Sequence, residues 1–362
     1  MKLTIDFETR SRHDLKKSSV WKYAEDPTTE ILCLAIKEDD EPAQLWTPKA
    51  SWRSLCVCED IPLIEDHMVQ RKIIRADIIE AHNAEFETAL WHHVLHRRQN
   101  WLALPQEKLR CSAAKAAVCS LPRALGDACR AIGLNVQKDA KGHALMLKMC
   151  KPRKPTKNNP TEWIEDDNSL AALFRYCLQD VDAEHALSNA LPNLSRAEQE
   201  IWQLDQLVNR RGIYVDLPNV KRMIQLTTEH VDQLTTEFQE LTGGHVMAAT
   251  QNLALKNFLA ERGVDLDTLQ KSDVTMILRN EDLDPLARRL LEIRQSVGKT
   301  SVAKYSSLEG RTSVDGRMRS NVMYHGASTG RWAGKGFQPQ NLPRESVSTH
   351  EALFQLMERM DS

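Results

Sequence analysis

The sequence predicts an α/β fold with a mixed sheet in its first part, followed by a mainly helical second part. Short apolar runs alternate with helical patterns up to residue 192, and strands interleaved with helices are typical of α/β layers. Beyond that point the apolar positions recur mostly at helical spacing. With 362 residues, the chain is long enough for two or three domains of about 150 residues each. We therefore expect one domain over residues 1–192 and a second over residues 193–362.

The elements of the first domain are predicted from short runs bounded by polar or turn residues. Pro122 suits the first position of a helix, where its missing N–H costs nothing. The predicted strands are residues 3–7, 31–36, 44–46 and 78–81, and the predicted helices are residues 84–94, 122–132 and 170–191.

The second domain opens with a helix-start signal. Ser195 and Glu198 have the spacing of a capping box, in which the serine caps the helix and the glutamate follows at its third position. This helix is expected to end near Gly212. A short strand over 213–215, a helix over 218–241 closed by Gly243 and Gly244, and further amphipathic helices over 252–304 follow.

Composition narrows the class of protein. Apolar residues make up 41% and charged residues 27%, as in a globular protein that dissolves in water. The longest apolar run has six residues, at 31–36, whereas a membrane span needs about 20. Asp6 falls where a signal peptide needs its apolar stretch, so we expect the chain in the cytoplasm and not at a membrane.

The charge of the chain is unevenly distributed. The overall net charge is −2, but residues 294–344 contain nine Lys and Arg against two acids, a local net charge of +7. A basic block of this density suits a polyanion such as a nucleic acid backbone. The alternative is a solvated, flexible face.

Two carboxylates stand on one face of the first predicted strand. Asp6 and Glu8 are two residues apart, and side chains alternate along a strand, so both project from the same face. Two such acids repel each other unless a cation lies between them, and buried strands seldom carry them. The pair indicates a metal site; the alternative is an edge strand that faces water.

Two further groups of residues could also contribute to a functional site. Asn83 can cap a new helix, which would place Glu87 in the first turns. On its own, Glu87 fits equally well as an acid favoured by the helix dipole. Tyr176 and Asp180 are four residues apart on a predicted helix and therefore share a face. The alternative for this last pair is a solvated helix face.

Taken together and in this order, the three groups resemble the exonuclease motifs of the DEDD nuclease superfamily. The tyrosine is typical of the subclass found in the proofreading domains of family A DNA polymerases. The resemblance covers the chain to about residue 192 and implies a ribonuclease-H-like fold with 3′→5′ hydrolysis of single-stranded or frayed DNA ends. The matching motifs are Asp6-x-Glu8, Asn83-x-x-Phe86-Glu87 and Tyr176-x-x-x-Asp180.

The resemblance also implies the role of each catalytic residue. Four carboxylates bind two Mg²⁺ ions, for which Mn²⁺ can substitute: Asp6 bridges both ions, Glu8 and Asp180 complete the first, and Glu87 supports the second. Tyr176, with an ordinary pKa of about 10, stays a neutral phenol that orients the attacking water. The family usually has Asp where Glu87 stands, so we expect weakened metal binding.

A second resemblance lies near the end of the sequence. Thr329-Gly330-Arg331, followed by Gln340-Asn341-Leu342-Pro343-Arg344, resembles the segment of family A DNA polymerases that enters the palm after the thumb. It implies that Arg331 reaches the minor groove at the primer end; a generic phosphate contact is the alternative. The expected DNA-contacting residues are Asn83, Phe86, Arg294, Lys304, Arg317, Arg331, Gln340 and Asn341.

These patterns predict a magnesium-dependent 3′→5′ DNA exonuclease attached to a truncated polymerase domain. No palm aspartates or fingers helix follow residue 344, so we expect primer shortening without extension. The expected partners are single-stranded DNA 3′ ends, primer–template duplex and a separate palm and fingers polypeptide. Two alternatives stay open: a non-catalytic DNA-binding remnant or split-polymerase subunit, and an RNA-trimming nuclease of the same superfamily.

Overall fold

Five strands of the first part of the chain form one mixed sheet in the order 3-2-1-4-5. The second strand runs antiparallel to its two neighbours, and the fourth and fifth run parallel to the first. The predicted α/β class with a mixed sheet is therefore confirmed. The fifth strand is not among the predicted strands. The strands are β1 (Lys2–Arg10), β2 (Glu30–Glu38), β3 (Gln44–Trp46), β4 (Ile78–Ala81) and β5 (Leu109–Cys111).

The structure, a computed structural model, describes residues 1–16, 18–134, 140–156, 161–297 and 301–341. The chain forms two compact units. Unit 1 combines Met1–Gly212 with the described residues from Arg319 to Asn341, and unit 2 is Ile213–Met318. These units divide the chain differently from the domain boundary predicted at residues 192 and 193.

Helices cover both faces of the sheet. Ile31, Leu34 and Ile36 of β2 belong to one buried apolar cluster, whereas Leu32 and Ala35 belong to another. A strand buried on both faces is apolar throughout, which explains the unbroken apolar run in this part of the sequence. The helices of this part are α1 (Val20–Glu25), α2 (Ala50–Cys58), α3 (Asp66–Arg75), α4 (Glu85–Leu90), α5 (Arg97–Gln99), α6 (Ser112–Val118), α7 (Leu125–Ala131), α8 (Ala140–Met149) and α9 (Asp167–Ala190).

Two helix starts differ from the prediction. Asn83 adopts a left-handed conformation with φ 72°, so the chain turns there and the N-cap of α4 is Ala84, without a side-chain capping bond. Asn83 therefore does not cap the helix. The predicted helix 84–94 is also divided, because a π-helical turn, Trp91–His96, separates α4 from α5. Pro122 precedes α7, whose N-cap is Ala124, and is not its first residue.

The capping box at the start of the next helix forms in part. Ser195 accepts a hydrogen bond from the backbone N–H of Glu198, 3.2 Å away, and the helix ends at Gly212 with φ 67°. The Glu198 carboxylate accepts a hydrogen bond from the Tyr324 hydroxyl. This contact joins the two chain segments of unit 1. The remaining elements of unit 1 are α10 (Arg196–Arg211), β8 (Val322–Met323) and β9 (Ala333–Gly334).

The described residues of unit 2 form helices and one pair of short strands, which lie at the two ends of the unit. The predicted helix over 218–241 is present, and Gly243 and Gly244 follow it with positive φ angles. None of the helices in the described ranges is long and apolar enough to cross a membrane. The elements of unit 2 are β6 (Ile213–Tyr214), α11 (Leu217–Leu241), α12 (Asn252–Ala260), α13 (Lys271–Ile277), α14 (Pro285–Val297), α15 (Ser301–Arg311) and β7 (Arg317–Met318).

A buried ion cluster ties β4 to the helices packed on it. The carboxylate of Glu80, on β4, lies 2.6 Å from Lys2 Nζ and 2.8 Å from Lys115 Nζ. Ser188, on α9, donates a hydrogen bond to the same carboxylate. Burial alone would raise the pKa of Glu80, but the ammonium groups of Lys115 and Lys2 outweigh it and hold the pKa below its usual range.

Removing the charge of Glu80 should therefore destabilise unit 1. Glu80→Gln leaves Lys115 buried without its anion, and breaking a buried pair in this way costs about 3–5 kcal/mol. We expect a loss of this size in urea unfolding. Glu200→Gln is the matched control, because Glu200 forms an exposed pair with Arg196, and such pairs contribute about 0–1 kcal/mol. Equal losses in both variants would contradict the assignment.

Candidate active site

Asp6 and Glu8 project from the middle of the sheet. Their strand, β1, is hydrogen-bonded on both sides, so the alternative of an edge strand facing water is wrong. Asp6 lies opposite Ala35 and Glu8 opposite Cys33, and the register shifts between Glu8 and Thr9. Only 7% of the Glu8 surface is exposed. The first strand therefore carries a half-buried carboxylate, Asp6, and a buried one, Glu8.

Helix α9 brings the second group of predicted residues to this strand. The Sγ atom of Cys177 lies 3.5 Å from Asp6 Oδ2, which places the middle of α9 beside Asp6. Tyr176 is buried, and its hydroxyl hydrogen-bonds to Asp180. The alternative of a solvated helix face is therefore wrong for Tyr176.

Glu87 approaches the same region from α4. It lies in the first turn of that helix, as predicted, and only 2% of its surface is exposed. Its Oε2 atom is buried and has no hydrogen-bond partner. A buried carboxylate oxygen without a partner is costly, because it has lost water and gained nothing in return. Glu87 is therefore placed to accept a ligand.

The carboxylates influence one another electrostatically. Burial, then the charge of Asp180, raises the pKa of Asp6 to about 8. Burial, then the charge of Asp6, raises the pKa values of both Glu8 and Glu87 well above the usual range. Raised pKa values with shared causes mark one acidic cluster and not four separate surface acids.

The donor set of this acidic cluster, Asp6, Glu8, Glu87 and Asp180, fits a hard divalent cation. Oxygen ligands with few competing hydrogen bonds are what Mg²⁺ prefers, and a cation would relieve the repulsion that raises the pKa values. As the side chains stand, no group of three or more His, Cys, Asp or Glu residues within the described ranges converges closely enough to hold a metal ion. Metal binding would therefore involve some adjustment of these side chains.

Sequence reasoning missed one acid of this region. Glu184 lies one helical turn beyond Asp180 on α9, and 1% of its surface is exposed. Burial first, then the charges of Glu80, Glu87 and Asp6, raises its pKa well above the usual range. The spacing of Tyr176, Asp180 and Glu184 was the available signal, since residues four apart recur on one helix face.

The expected DNA-contacting residues of unit 1 are at least partly accessible. Asn83, Arg331, Gln340 and Asn341 are exposed, and Gly334 packs so closely under Gln340 that a Cβ there would clash with it. Phe86 is half-buried, with its ring centroid 6.2 Å from that of Tyr23. Leu342, Pro343 and Arg344 lie outside the described residues.

The residues of unit 2 that are expected to contact DNA differ in how they are held. The Arg294 guanidinium donates hydrogen bonds to the carbonyl oxygens of Ala249 and Leu269, so it links loops inside this unit. This internal role was not predicted and leaves less of the group for phosphate. Lys304 and Arg317 are half-buried.

The raised pKa of Asp6 gives a test by protein stability. The folded-state value of about 8 exceeds the ordinary 3.8, so the folded protein holds an extra proton between these values. The bound proton stabilises the folded protein fully when the pH is below the ordinary pKa of Asp6. This stabilisation is lost as the pH rises through the folded-state pKa. With a metal chelator present, the free energy of unfolding of the wild type should fall by more than about 1 kcal/mol, relative to that of Asp6→Asn, between about pH 5 and about pH 9. Urea unfolding measures this, and parallel pH profiles would contradict it.

No protein-family model matches the sequence. The chain is 34% identical over 354 residues to a DNA polymerase of Bacillus phage SP02, and the match covers 95% of this chain. It covers 52% of the phage protein, so the chain spans about half the length of that relative.

A solved structure shares the fold. The polymerase domain of Pol1 from M. smegmatis, in complex with a DNA primer–template and dNTP, matches with a TM-score of 0.50. The match covers 96% of this chain and 52% of that one, at 14% sequence identity, so it concerns the fold alone. The chain is therefore a relative of a phage DNA polymerase and spans about half of that protein's length, and its fold is similar to that of a Pol1 polymerase domain.

Proposed function

We propose that the first part of the chain is a 3′→5′ DNA exonuclease of the proofreading type, which uses two Mg²⁺ ions. The observation that carries the proposal is the acidic cluster, to which β1, α4 and α9 contribute carboxylates. Burial first, and then the charges of Asp6 and Asp180, raise the pKa values of Asp6, Glu8 and Glu87. The phage relative is a DNA polymerase, and the Pol1 structure holds a primer–template, so DNA is the proposed substrate.

The sheet supports a ribonuclease-H-like fold for this domain. Such a fold has a five-stranded mixed sheet in which the second strand runs against the others, and this is the arrangement of β1 to β5. The first strand carries Asp6 and Glu8 at the centre of the sheet, where carboxylates would be shielded from water. The domain proposed for this activity is residues 1–192, joined to a partial family A polymerase domain over 193–362.

In the proposed mechanism, Asp6, Glu8, Glu87 and Asp180 hold the metal ions. When bound, two such ions stabilise the charge that develops on the attacking and leaving oxygens of a phosphodiester. The chain's own residues prepare the site. Burial, and then the charge of Asp180, raises the pKa of Tyr176, so the phenol keeps its proton. A neutral hydroxyl fixed on Asp180 can orient water but cannot act as a strong base.

Two neighbours of Glu87 are proposed to hold the DNA end. Asn83 is exposed at the turn before α4, and its amide can bond to a phosphate or a base edge. Phe86 keeps part of its ring accessible, and stacking of a base on an aromatic ring contributes about 1–3 kcal/mol. Arg331, Gln340 and Asn341 are proposed to contact duplex DNA.

The assay for this proposal follows a labelled 3′ end. Purified chain should shorten single-stranded DNA in Mg²⁺ and not in chelator. Asp6→Asn should reduce the rate by more than about 100-fold, since residues that merely support metal ligands are already worth about 10–100-fold. Asp182→Asn is the matched control, because Asp182 lies on the exposed side of α9 and pairs with Lys37.

Other outcomes of this assay would overturn the proposal. Equal activity of Asp6→Asn and wild type would remove the metal assignment. Shortening of RNA but not of DNA would favour the RNA-trimming alternative. DNA binding without any shortening in Mg²⁺ or Mn²⁺ would favour the non-catalytic module.

Glu87→Asp tests the departure from the usual family residue. The shorter side chain withdraws the carboxylate by about 1.5 Å, one C–C bond. Because Glu87 is buried in a packed helix turn and Mg²⁺ requires ligands at about 2.0–2.1 Å, we expect activity to fall by at least about 10-fold. The measurement is the rate of 3′-end shortening across Mg²⁺ concentrations. Higher activity in Glu87→Asp would mean that the present site has decayed, and no change would mean that Glu87 is not a ligand.

A further inference from the structure

A chain of hydrogen bonds runs from the loop before α7 to Glu184. His82 Nε2 lies 2.7 Å from the carbonyl oxygen of Arg123, and His82 Nδ1 lies 2.8 Å from Ser112 Oγ. Ser112 Oγ in turn lies 3.1 Å from Glu184 Oε1. Ser112 and Glu184 are both buried. The chain of bonds therefore ends inside the protein, on an acid that the proposed mechanism does not use.

Proton counting restricts the state of this chain. The Arg123 carbonyl can only accept, so His82 Nε2 must carry a proton. If His82 is neutral, its Nδ1 accepts the Ser112 hydroxyl proton, and Glu184 must then be a neutral acid that donates to Ser112. If Glu184 is ionised, Ser112 donates to it and His82 must be a cation. Both states contain the same number of protons and have no net charge.

The surroundings of Glu184 favour the first state. Glu80, also buried, is neutralised by two lysines, but no lysine or arginine of the described residues lies within ion-pair distance of Glu184. Burial first, and then the charges of Glu80, Glu87 and Asp6, raise the pKa of Glu184, and these effects outweigh the Ser112 hydrogen bond, which lowers it. Burial without a neighbouring cation therefore favours the protonated form of Glu184.

The bonded residues join the elements that carry proposed metal ligands. His82 lies in the turn between β4 and α4, five residues before Glu87, and Glu184 lies on α9, one turn after Asp180. Ser112, the first residue of α6, connects the two. We propose that Glu184 is a positioning residue: a neutral acid, bonded to Ser112, that holds the turn leading to Glu87 against the helix that carries Asp180.

The neutral state matters because an ionised Glu184 would add a further negative charge beside Glu87 and Asp6. It would repel the ligands and attract the cation away from them. This inference rests on the proposed function, since a positioning role requires a metal site to position. It adds a residue outside the four proposed ligands.

The test compares Glu184→Gln with Glu184→Ala. Glutamine keeps the shape and can donate its amide hydrogen to Ser112, so it should bind metal within about threefold of wild type. Alanine breaks the chain, and the Mn²⁺ dissociation constant should rise at least about 10-fold, as for supporting residues of other metal sites. Binding is measured by Mn²⁺ paramagnetic resonance, and the Mg²⁺ dependence of 3′-end shortening should show the same order.

Ser112→Ala keeps the test informative if Glu184→Ala does not fold. It removes the connecting hydroxyl but leaves the acid, and we expect the same weakening of Mn²⁺ binding. Ser54→Ala is its matched control, because Ser54 is exposed on α2 and its hydroxyl donates a hydrogen bond to the Ala50 carbonyl of the same helix. Equal Mn²⁺ affinity in Ser112→Ala and Ser54→Ala would overturn the positioning role.

Infrared difference spectroscopy tests the protonation state without activity. With Mg²⁺ present at neutral pH, the wild-type spectrum minus that of Glu184→Gln should contain the C=O stretching band of a protonated carboxylic acid. A difference with only carboxylate bands would overturn the neutral-acid assignment. Wild type that binds Mn²⁺ but shortens no DNA would instead contradict the proposed function and leave this result intact.

Discussion

Mutual repulsion among buried carboxylates is the constraint on which the centre of this protein depends. β1, α4 and α9 all direct acids into one region of low water content, where charges interact strongly because solvent cannot screen them. Asp6 is involved throughout, since its charge contributes to the raised pKa values of Glu8, Glu87 and Glu184. Any arrangement of the sheet and helices must leave these acids neutral or paired.

The buried acids of unit 1 are stabilised in different ways. Glu80 stays ionised because Lys2 and Lys115 contact it. Glu184 is proposed to stay neutral by keeping a proton shared with a serine. In the acidic cluster, the Glu87 Oε2 atom is buried without a hydrogen-bond partner, and a cation would satisfy it. Other groups of the chain thus stabilise the structural acids, whereas the proposed catalytic acids require a bound cation.

The sequence predicted the parts of the site that follow from local periodicity. Asp6 and Glu8 follow from strand alternation, and Tyr176 and Asp180 follow from the helix repeat. The Asn83 cap failed because a left-handed residue ends the turn before the helix begins. The lysine partners of Glu80 lie 78 and 35 residues away from it in sequence, and no local pattern reveals a pairing of that kind. The helix repeat places Glu184 on the face of Asp180, but its burial, which no local pattern gives, is what distinguishes it from a solvated acid.

The division of unit 1 by unit 2 affects the order in which a ribosome can complete the fold. Tyr324 is buried in the same apolar core as β1 and Trp202, yet it is synthesised only after Ile213–Met318. Unit 2 has its own core and pairs its own ends through β6 and β7, so it can fold while the nascent first part still waits for its last segment. Until Tyr324 is synthesised, the apolar surface that it covers remains exposed to solvent. Tyr324 reaches this surface by closing a long loop that contains unit 2, and the loss of chain entropy slows this step. The nascent chain is therefore most exposed to aggregation and proteolysis during synthesis of unit 2.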